Sequence, residues 1–201
     1  MVLAGGRSRR FGSDKLQARI DGRRLIDRVL AGLSGDAPLI VVGPPSMSIG
    51  MAGAAVVREE PAFGGPVAAI AAALPLVGTG LVGIIAADMP VAARHLPGLV
   101  DDLPPDVDAL LPVDPVGRLQ VLCGAYRVTA LREAITAAGD PSGQSMRAVV
   151  LRLRVRTVRW PAAWTWDVDT PADLELGEHV LAIEADEGVG DQDGEAADGQ
   201  G

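Results

Sequence analysis

Lysine is almost absent from this chain: seventeen of its eighteen basic residues are arginine, and Lys15 is the exception. Cysteine is as scarce. Cys123 stands alone, which excludes an intrachain disulfide and suits a reducing cytoplasm. Aromatic residues make up 3% of the chain, so the 48% that is hydrophobic must pack mainly as aliphatic side chains. No run approaches the roughly 18 apolar residues of a membrane span, and no signal-peptide pattern precedes the first glycines.

The charge is unevenly placed. Residues 184–201 carry seven acids and no base, while residues 1–28 carry eight bases against three acids. Without the acidic end the net charge of −8 falls nearly to zero. The bases cluster around glycines with Phe11 as the single aromatic among residues 1–28, which favours a small phosphate ligand over nucleic acid. Residues 184–201 are rich in Gly, Asp, Glu and Gln, and this composition predicts a disordered tail after a domain at 1–183.

Short aliphatic runs alternate with longer amphipathic segments. The expected strands are Met1–Ala4, Pro38–Val42, Ala54–Val57, Leu81–Ala86, Asp108–Pro112 and Leu119–Tyr126, with a further half-wet strand within Arg152–Thr157. The expected helices are Arg24–Leu33, Pro66–Leu76, Ala92–Leu103, Val128–Ala138, Ser145–Leu151 and Pro171–Ile183. This alternation predicts an α/β domain with a mostly parallel sheet wrapped by helices. Met1–Ala4 is short, which points to a start upstream or to a clipped strand. Asp114-Pro115-Val116-Gly117 reads as a turn, with a hairpin before Leu119.

The candidate chemistry begins with Leu3-Ala4-Gly5-Gly6-Arg7-Ser8-Arg9-Arg10-Phe11-Gly12-Ser13-Asp14-Lys15. Glycine N–H groups opening from a strand can approach an anion closely, and the cations beside them suit a polyphosphate. The spacing matches neither a Walker loop nor the usual dinucleotide fingerprint. Asp88 follows the aliphatic run Ile84–Ala87, so it falls at a strand's carboxyl end, where open parallel sheets bind ligands. It reads as a Mg²⁺ ligand or as a helix N-cap. Glu59 precedes a Gly64-Gly65-Pro66 helix entry and is placed to accept from a sugar hydroxyl or a base edge. Asp167 and Asp169 precede a helix opened by Thr170-Pro171, with Asp173 as capping-box acid. One of the pair could be a second metal ligand. Cys123 reads as core, and His95 and His179 as helix residues without partners. Trp160, Trp164 and Trp166 either wall a cleft or close the core.

These segments, in this order, resemble the molybdenum cofactor guanylyltransferases, within the glycine-rich nucleotidyltransferase fold. The loop Leu3–Lys15 matches the family pattern with Phe11 in place of Met. Gly65-Pro66-Val67-Ala68-Ala69, Asp88-Met89-Pro90 and Gln120-Val121-Leu122 resemble further family segments, the last lacking a proline. Asp167-Val168-Asp169-Thr170-Pro171-Ala172-Asp173-Leu174 resembles the closing Asn-x-Asn-Thr-Pro motif, with both Asn replaced by Asp. The resemblance implies a three-layer α/β/α, Rossmann-like domain that moves GMP from GTP to the phosphate of molybdopterin and releases pyrophosphate.

It further implies that Leu3, Ala4 and Gly5 contact the nucleotide, that Lys15 and Arg10 neutralise the triphosphate, and that Asp88 holds Mg²⁺. From the residues themselves, Gly6 and Glu59 are further nucleotide contacts and Asp169 is the candidate second metal ligand. The two Asp-for-Asn changes either add a metal ligand or mark a different acceptor. GTP and molybdopterin are the implied substrates. Molybdoenzyme-maturation proteins would be the protein partners, with no nucleic acid and no membrane. Cytidylyl or sugar-phosphate relatives of the same fold, and a non-catalytic nucleotide-binding module, are the alternatives. Gly5, where cytidylyl relatives usually carry alanine, favours guanine.

Overall fold

The computed structural model describes residues 1–5, 15–33, 35, 37–44 and 53–187. Its strands are β1 (Val2–Leu3), β2 (Arg19–Ile20), β3 (Arg23–Arg24), β4 (Ile40–Val42), β5 (Ala55–Val57), β6 (Leu81–Ala86), β7 (Ala109–Val113), β8 (Cys123–Arg127) and β9 (Val155–Arg159). Its helices are α1 (Leu25–Gly32), α2 (Pro66–Ala73), α3 (Ala92–Asp101), α4 (Val128–Ala138), α5 (Met146–Val150) and α6 (Pro171–Glu187). Seven strands form one sheet in the order β5-β4-β1-β6-β8-β7-β9. Strand β8 runs antiparallel to both β6 and β7, and the remaining pairs are parallel.

The core explains why strands so short hold. Successive residues of a strand face opposite sides of the sheet. Leu3, Val42, Ile84, Leu111 and Tyr126 pack on one side with Ile70 of α2, Leu131 of α4 and Val149 of α5. Their neighbours Val2, Val41, Ile85, Leu110 and Ala125 pack on the other with Ile26 and Val29 of α1 and Leu96 and Leu99 of α3. Both faces are covered, so the strands read as continuous apolar runs instead of alternating ones. Gly83 lets α3 lie close to β6: a Cβ there would stand 3.0 Å from Val100 and 3.1 Å from Leu96.

Besides β9, which runs Val155–Arg159 where a strand over Arg152–Thr157 was expected, three elements depart from the sequence-based expectation. The long strand Leu119–Tyr126 is broken. Leu119 makes only a bridge to Val113, residues 120–122 turn, and the strand starts at Cys123. Tyr126 donates its buried hydroxyl to the Val121 carbonyl at 2.7 Å, which pins that turn. Second, Arg19–Arg24 is a hairpin. Asp21 and Gly22 both have positive φ, 48° and 68°, the geometry of a tight two-residue connection. Third, α6 continues to Glu187, past the expected end at Ile183. It docks on the hairpin through Gly177, where a Cβ would meet Ile20 at 2.9 Å and Trp166 at 3.0 Å. The turn at Asp114 forms as expected: its Oδ1 accepts the N–H groups of Val116 and Arg118, at 3.1 and 2.7 Å.

Candidate functional site

The site follows from strand order. Strands β1 and β6 are parallel neighbours, with Leu3 paired to Ala86, so both chains leave the sheet at the same edge. The Ala87 N–H donates to the Leu3 carbonyl at 3.0 Å. Ala4 and Gly5 therefore emerge beside Ala87 and Asp88.

A distant segment completes the edge. The Val168 N–H donates to the Asp88 carbonyl at 3.0 Å, which lays Asp167 and Asp169 alongside Asp88. Asp173 fixes the far end of this segment. Its carboxylate accepts from the Asp169 N–H (2.8 Å), the Thr170 N–H (2.6 Å) and the Thr170 hydroxyl (3.0 Å). Half of the expected capping box is thus present, with the Thr170 hydroxyl turned to the carboxylate rather than to the helix N–H groups. These hydrogen bonds hold the Asp173 carboxyl below its usual range against the opposing effect of burial.

Lys15 enters this acidic edge. Its Nζ donates to Asp88 Oδ2 at 2.7 Å and to Asp169 Oδ1 at 3.0 Å. The lysine side chain is 12% exposed, Asp88 26% and Asp169 49%. Burial pulls the ammonium's pKa down, but the two carboxylates outweigh it, and the group titrates above its ordinary value. Asp167 titrates above the usual carboxylate range. Burial raises it most, and the negative charges of Asp169 and Asp88 add to that, against a smaller opposing pull from Arg118.

Glu59 closes the other side. It is buried, and Oε1 accepts the Phe63 N–H at 3.0 Å. A Cβ on Gly5 would lie 3.6 Å from Glu59 Oε1 and 3.9 Å from Oε2, so the carboxylate stands against the start of the glycine loop. Leu3, Ala4, Gly5, Lys15, Glu59, Asp88 and Asp169 thus gather at one end of the sheet. Gly6 and Arg10 lie outside the described residues.

Other candidates fall elsewhere. Cys123 is buried in the core, and burial pushes its thiol up to about 12, so it is not a nucleophile. His95 has partners: its ring stacks on Trp164 at 3.6 Å and meets Trp160 edge-on at 5.8 Å. Trp160 and Trp164 close the core beside α3, while Trp166 packs with Ile20, Leu174 and Leu181 under α6. Sequence reasoning passed over Arg118, whose charge reaches Asp167, and the left-handed backbone of Phe63 at φ 66°. The Phe63-Gly64-Gly65 run was the available signal for the second.

A parallel sheet interrupted by one antiparallel strand, with a glycine-loop lysine seated on a strand-end carboxylate, defines an α/β nucleotidyltransferase. The chain belongs to the MobA-like NTP transferase domain family, whose model matches residues 1–157. It is 31% identical to a probable molybdenum cofactor guanylyltransferase of Mycobacterium avium, over 87% of this chain and 91% of that protein. It is 28% identical to the molybdenum cofactor guanylyltransferase of Desulfosudis oleivorans, over 90% of this chain and 94% of that one. Among solved structures, molybdopterin-guanine dinucleotide biosynthesis protein A from Archaeoglobus fulgidus superposes with a TM-score of 0.70 at 23% identity, over 90% of this chain and 97% of that one. A 2-C-methyl-D-erythritol 4-phosphate cytidylyltransferase from Thermus thermophilus gives the same TM-score at 21% identity and the same coverage, so these likenesses establish the fold without choosing the nucleotide.

Proposed function

We propose that the protein transfers GMP from GTP to the terminal phosphate of molybdopterin and releases pyrophosphate. The observation that carries this reading is the Lys15 ammonium held between Asp88 and Asp169 at the edge where β1 opens into the glycine loop. An acceptor phosphate oxygen forms a bond to the α-phosphorus while the bond to the β-phosphate bridging oxygen breaks, and pyrophosphate leaves with that electron pair. No protein nucleophile is needed. The work is positioning and charge neutralisation. Leu3, Ala4, Gly5 and Gly6 offer backbone groups to the nucleotide, and Lys15 and Arg10 offset the triphosphate charge.

The donor set suits Mg²⁺. Carboxylate oxygens are hard ligands, and Mg²⁺ is held by one or two of them with substrate phosphates and water completing its shell. Among the described residues no three acidic, His or Cys side chains converge into a ready cage, which fits a site finished by the nucleotide. Asp88 would be the main ligand and Asp169 the second. The ion would neutralise charge developing on the departing pyrophosphate.

Guanine is favoured over cytosine by Glu59 together with Gly5. Guanine presents N1–H and N2–H₂ donors side by side, which a carboxylate accepts; cytosine and adenine present no such pair. A lone buried cysteine suits a reducing cytoplasm as the site of action. Calorimetric titration with GTP, CTP and ATP in Mg²⁺ tests the base, and assay of GMP transfer to molybdopterin tests the acceptor. Preference for CTP would defeat the guanine assignment.

A further inference from the structure

We propose that Phe63 is a stacking platform for the purine of the donor nucleotide, and that the loop from Glu59 to Gly65 is built to present it. This rests on the guanylyl-transfer reading of the same site. The chain has only six aromatic side chains besides histidine. Tyr126 and Trp160 are buried, whereas Phe63 is 52% exposed. It is the one aromatic among the exposed large apolar residues described; the others are Leu76, Val116, Leu151 and Leu176.

Its backbone is the second observation. Two described non-glycine residues have positive φ, Asp21 and Phe63. Aspartate is at home in a left-handed turn, but a bulky aromatic there is strained and persists only where its surroundings enforce it. They do so here. Glu59 holds the Phe63 N–H, the Gly64 N–H donates to the Pro61 carbonyl at 3.1 Å, and the Gly64 carbonyl accepts from Gly143 at 2.7 Å. No side chain is tolerated at Gly64, where a Cβ would stand 2.8 Å from Ala68. The Arg58 guanidinium lies 5.8 Å from the Phe63 ring centroid, a cation–π distance that helps orient the ring.

The third observation is position. The carboxylate that holds the Phe63 N–H is the one that stands against Gly5. The loop therefore ties the residue that carries the exposed ring to an acceptor for guanine's N–H edge, and that acceptor stands at the strand end that offers backbone groups to the nucleotide. Face and edge of one planar base would be read from residues four apart.

The test is calorimetry of GTP and, separately, of pyrophosphate, both in Mg²⁺, with wild type, Phe63→Leu and Phe63→Tyr. Leucine keeps the backbone demand and the apolar bulk while removing the aromatic face. Phe63→Leu should weaken GTP roughly five- to a hundredfold, the scale of one base–aromatic stack, and leave pyrophosphate unchanged, while Phe63→Tyr should bind as wild type. Phe63→Trp adds an emitter whose fluorescence, in difference against wild type, GTP should quench and pyrophosphate should not. Wild-type GTP affinity in Phe63→Leu overturns the inference. So does equal weakening of GTP and pyrophosphate, which would mark a merely structural loop, or a defect seen only in molybdopterin saturation, which would assign the ring to the acceptor. Failure of wild type to bind GTP would instead overturn the guanylyl-transfer reading.

Discussion

Replacing Lys15 separates its two jobs, because their magnitudes differ. In Lys15→Met the ammonium leaves Asp88 and Asp169, which are 26% and 49% exposed and still reach water. Breaking a fully buried pair costs about 3–5 kcal/mol and a surface pair at most about 1, so this partly wet pair should cost about 1–2 kcal/mol of stability. For a chain of this size that lowers Tm by about 2–8 °C. Loss of a charge-assisted contact to a transferring phosphate costs on the order of 10²-fold in rate or more, at least about 2.7 kcal/mol. Turnover should therefore fall much further than the fold weakens. Removing the ammonium also leaves two carboxylates facing each other, and a divalent cation relieves that repulsion. Mn²⁺ titrated without nucleotide, read by electron paramagnetic resonance, should bind Lys15→Met more tightly than wild type.

Lys15→Arg is the sharper variant. A planar guanidinium can grip carboxylates with paired hydrogen bonds, whereas an ammonium is a compact charge that can be handed to a phosphate. Lys15→Arg should melt near wild type and yet turn over poorly with saturating GTP. The raised pKa of Lys15 means its stabilisation is complete below the usual lysine value of 10.5 and is lost only as pH climbs through the higher folded value. No pH dependence near neutrality should come from this lysine. Wild-type turnover in Lys15→Arg, or unchanged Mn²⁺ affinity in Lys15→Met, would refute the reasoning.

At saturating GTP, Asp88→Asn should lose most activity, while Asp169→Asn should mainly raise the Mg²⁺ needed for half-maximal rate; a rate-against-Mg²⁺ curve that overlays wild type would remove Asp169 from the metal site. Asp167 has a folded pKa above its unfolded one, so its contribution is most favourable when it is protonated and declines as pH rises from the usual carboxylate value through the raised one. Asp167→Asn should consequently melt higher than wild type at pH 7, with the gap closing toward pH 4 in thermal scans. Residues 188–201 carry four acids, no base and a single valine as their only large apolar residue, so their removal should leave Tm and turnover unchanged; a drop in either would show that this end contributes to the domain.

What the sequence made legible depends on how local the cause was. Leu81–Ala86 and Val128–Ala138 coincide with their expected bounds because aliphatic run and amphipathic period stop where the elements stop. The Asp114 turn was legible because one side chain dictates it. The break inside Leu119–Tyr126 was not: Leu119-Gln120-Val121-Leu122 carries no turn residue, and the interruption is set by the Tyr126 hydroxyl and by Ala86, whose N–H donates to the Leu122 carbonyl at 2.8 Å. The Arg19–Arg24 hairpin had a local signal in Asp21-Gly22, but its strands are two residues each and lack the alternating apolar pattern that marks longer ones. They hold because α6 covers Ile20, a contact about 157 positions away in the chain.

The same distinction runs through the site. Lys15 and Asp88 were legible as a pair because each follows a strand that must end at the ligand edge, and parallel neighbours end together. Asp169 was expected beside them, as a second ligand just before a helix that returns to this edge, but its motif shows only the start of α6 and not what holds the segment there. The cause is the Val168 N–H on the Asp88 carbonyl, a backbone contact with no side-chain signature. That contact also gives the two Asp residues their physical meaning. Three carboxylates now share an edge where the family pattern has one, and burial with mutual repulsion has already pushed Asp167 up. Lys15 offsets part of that repulsion in the free protein. When a triphosphate takes the lysine, the carboxylates require another cation, so nucleotide and metal should bind this chain with strong mutual dependence. The extra acids make that coupling stronger than asparagines would.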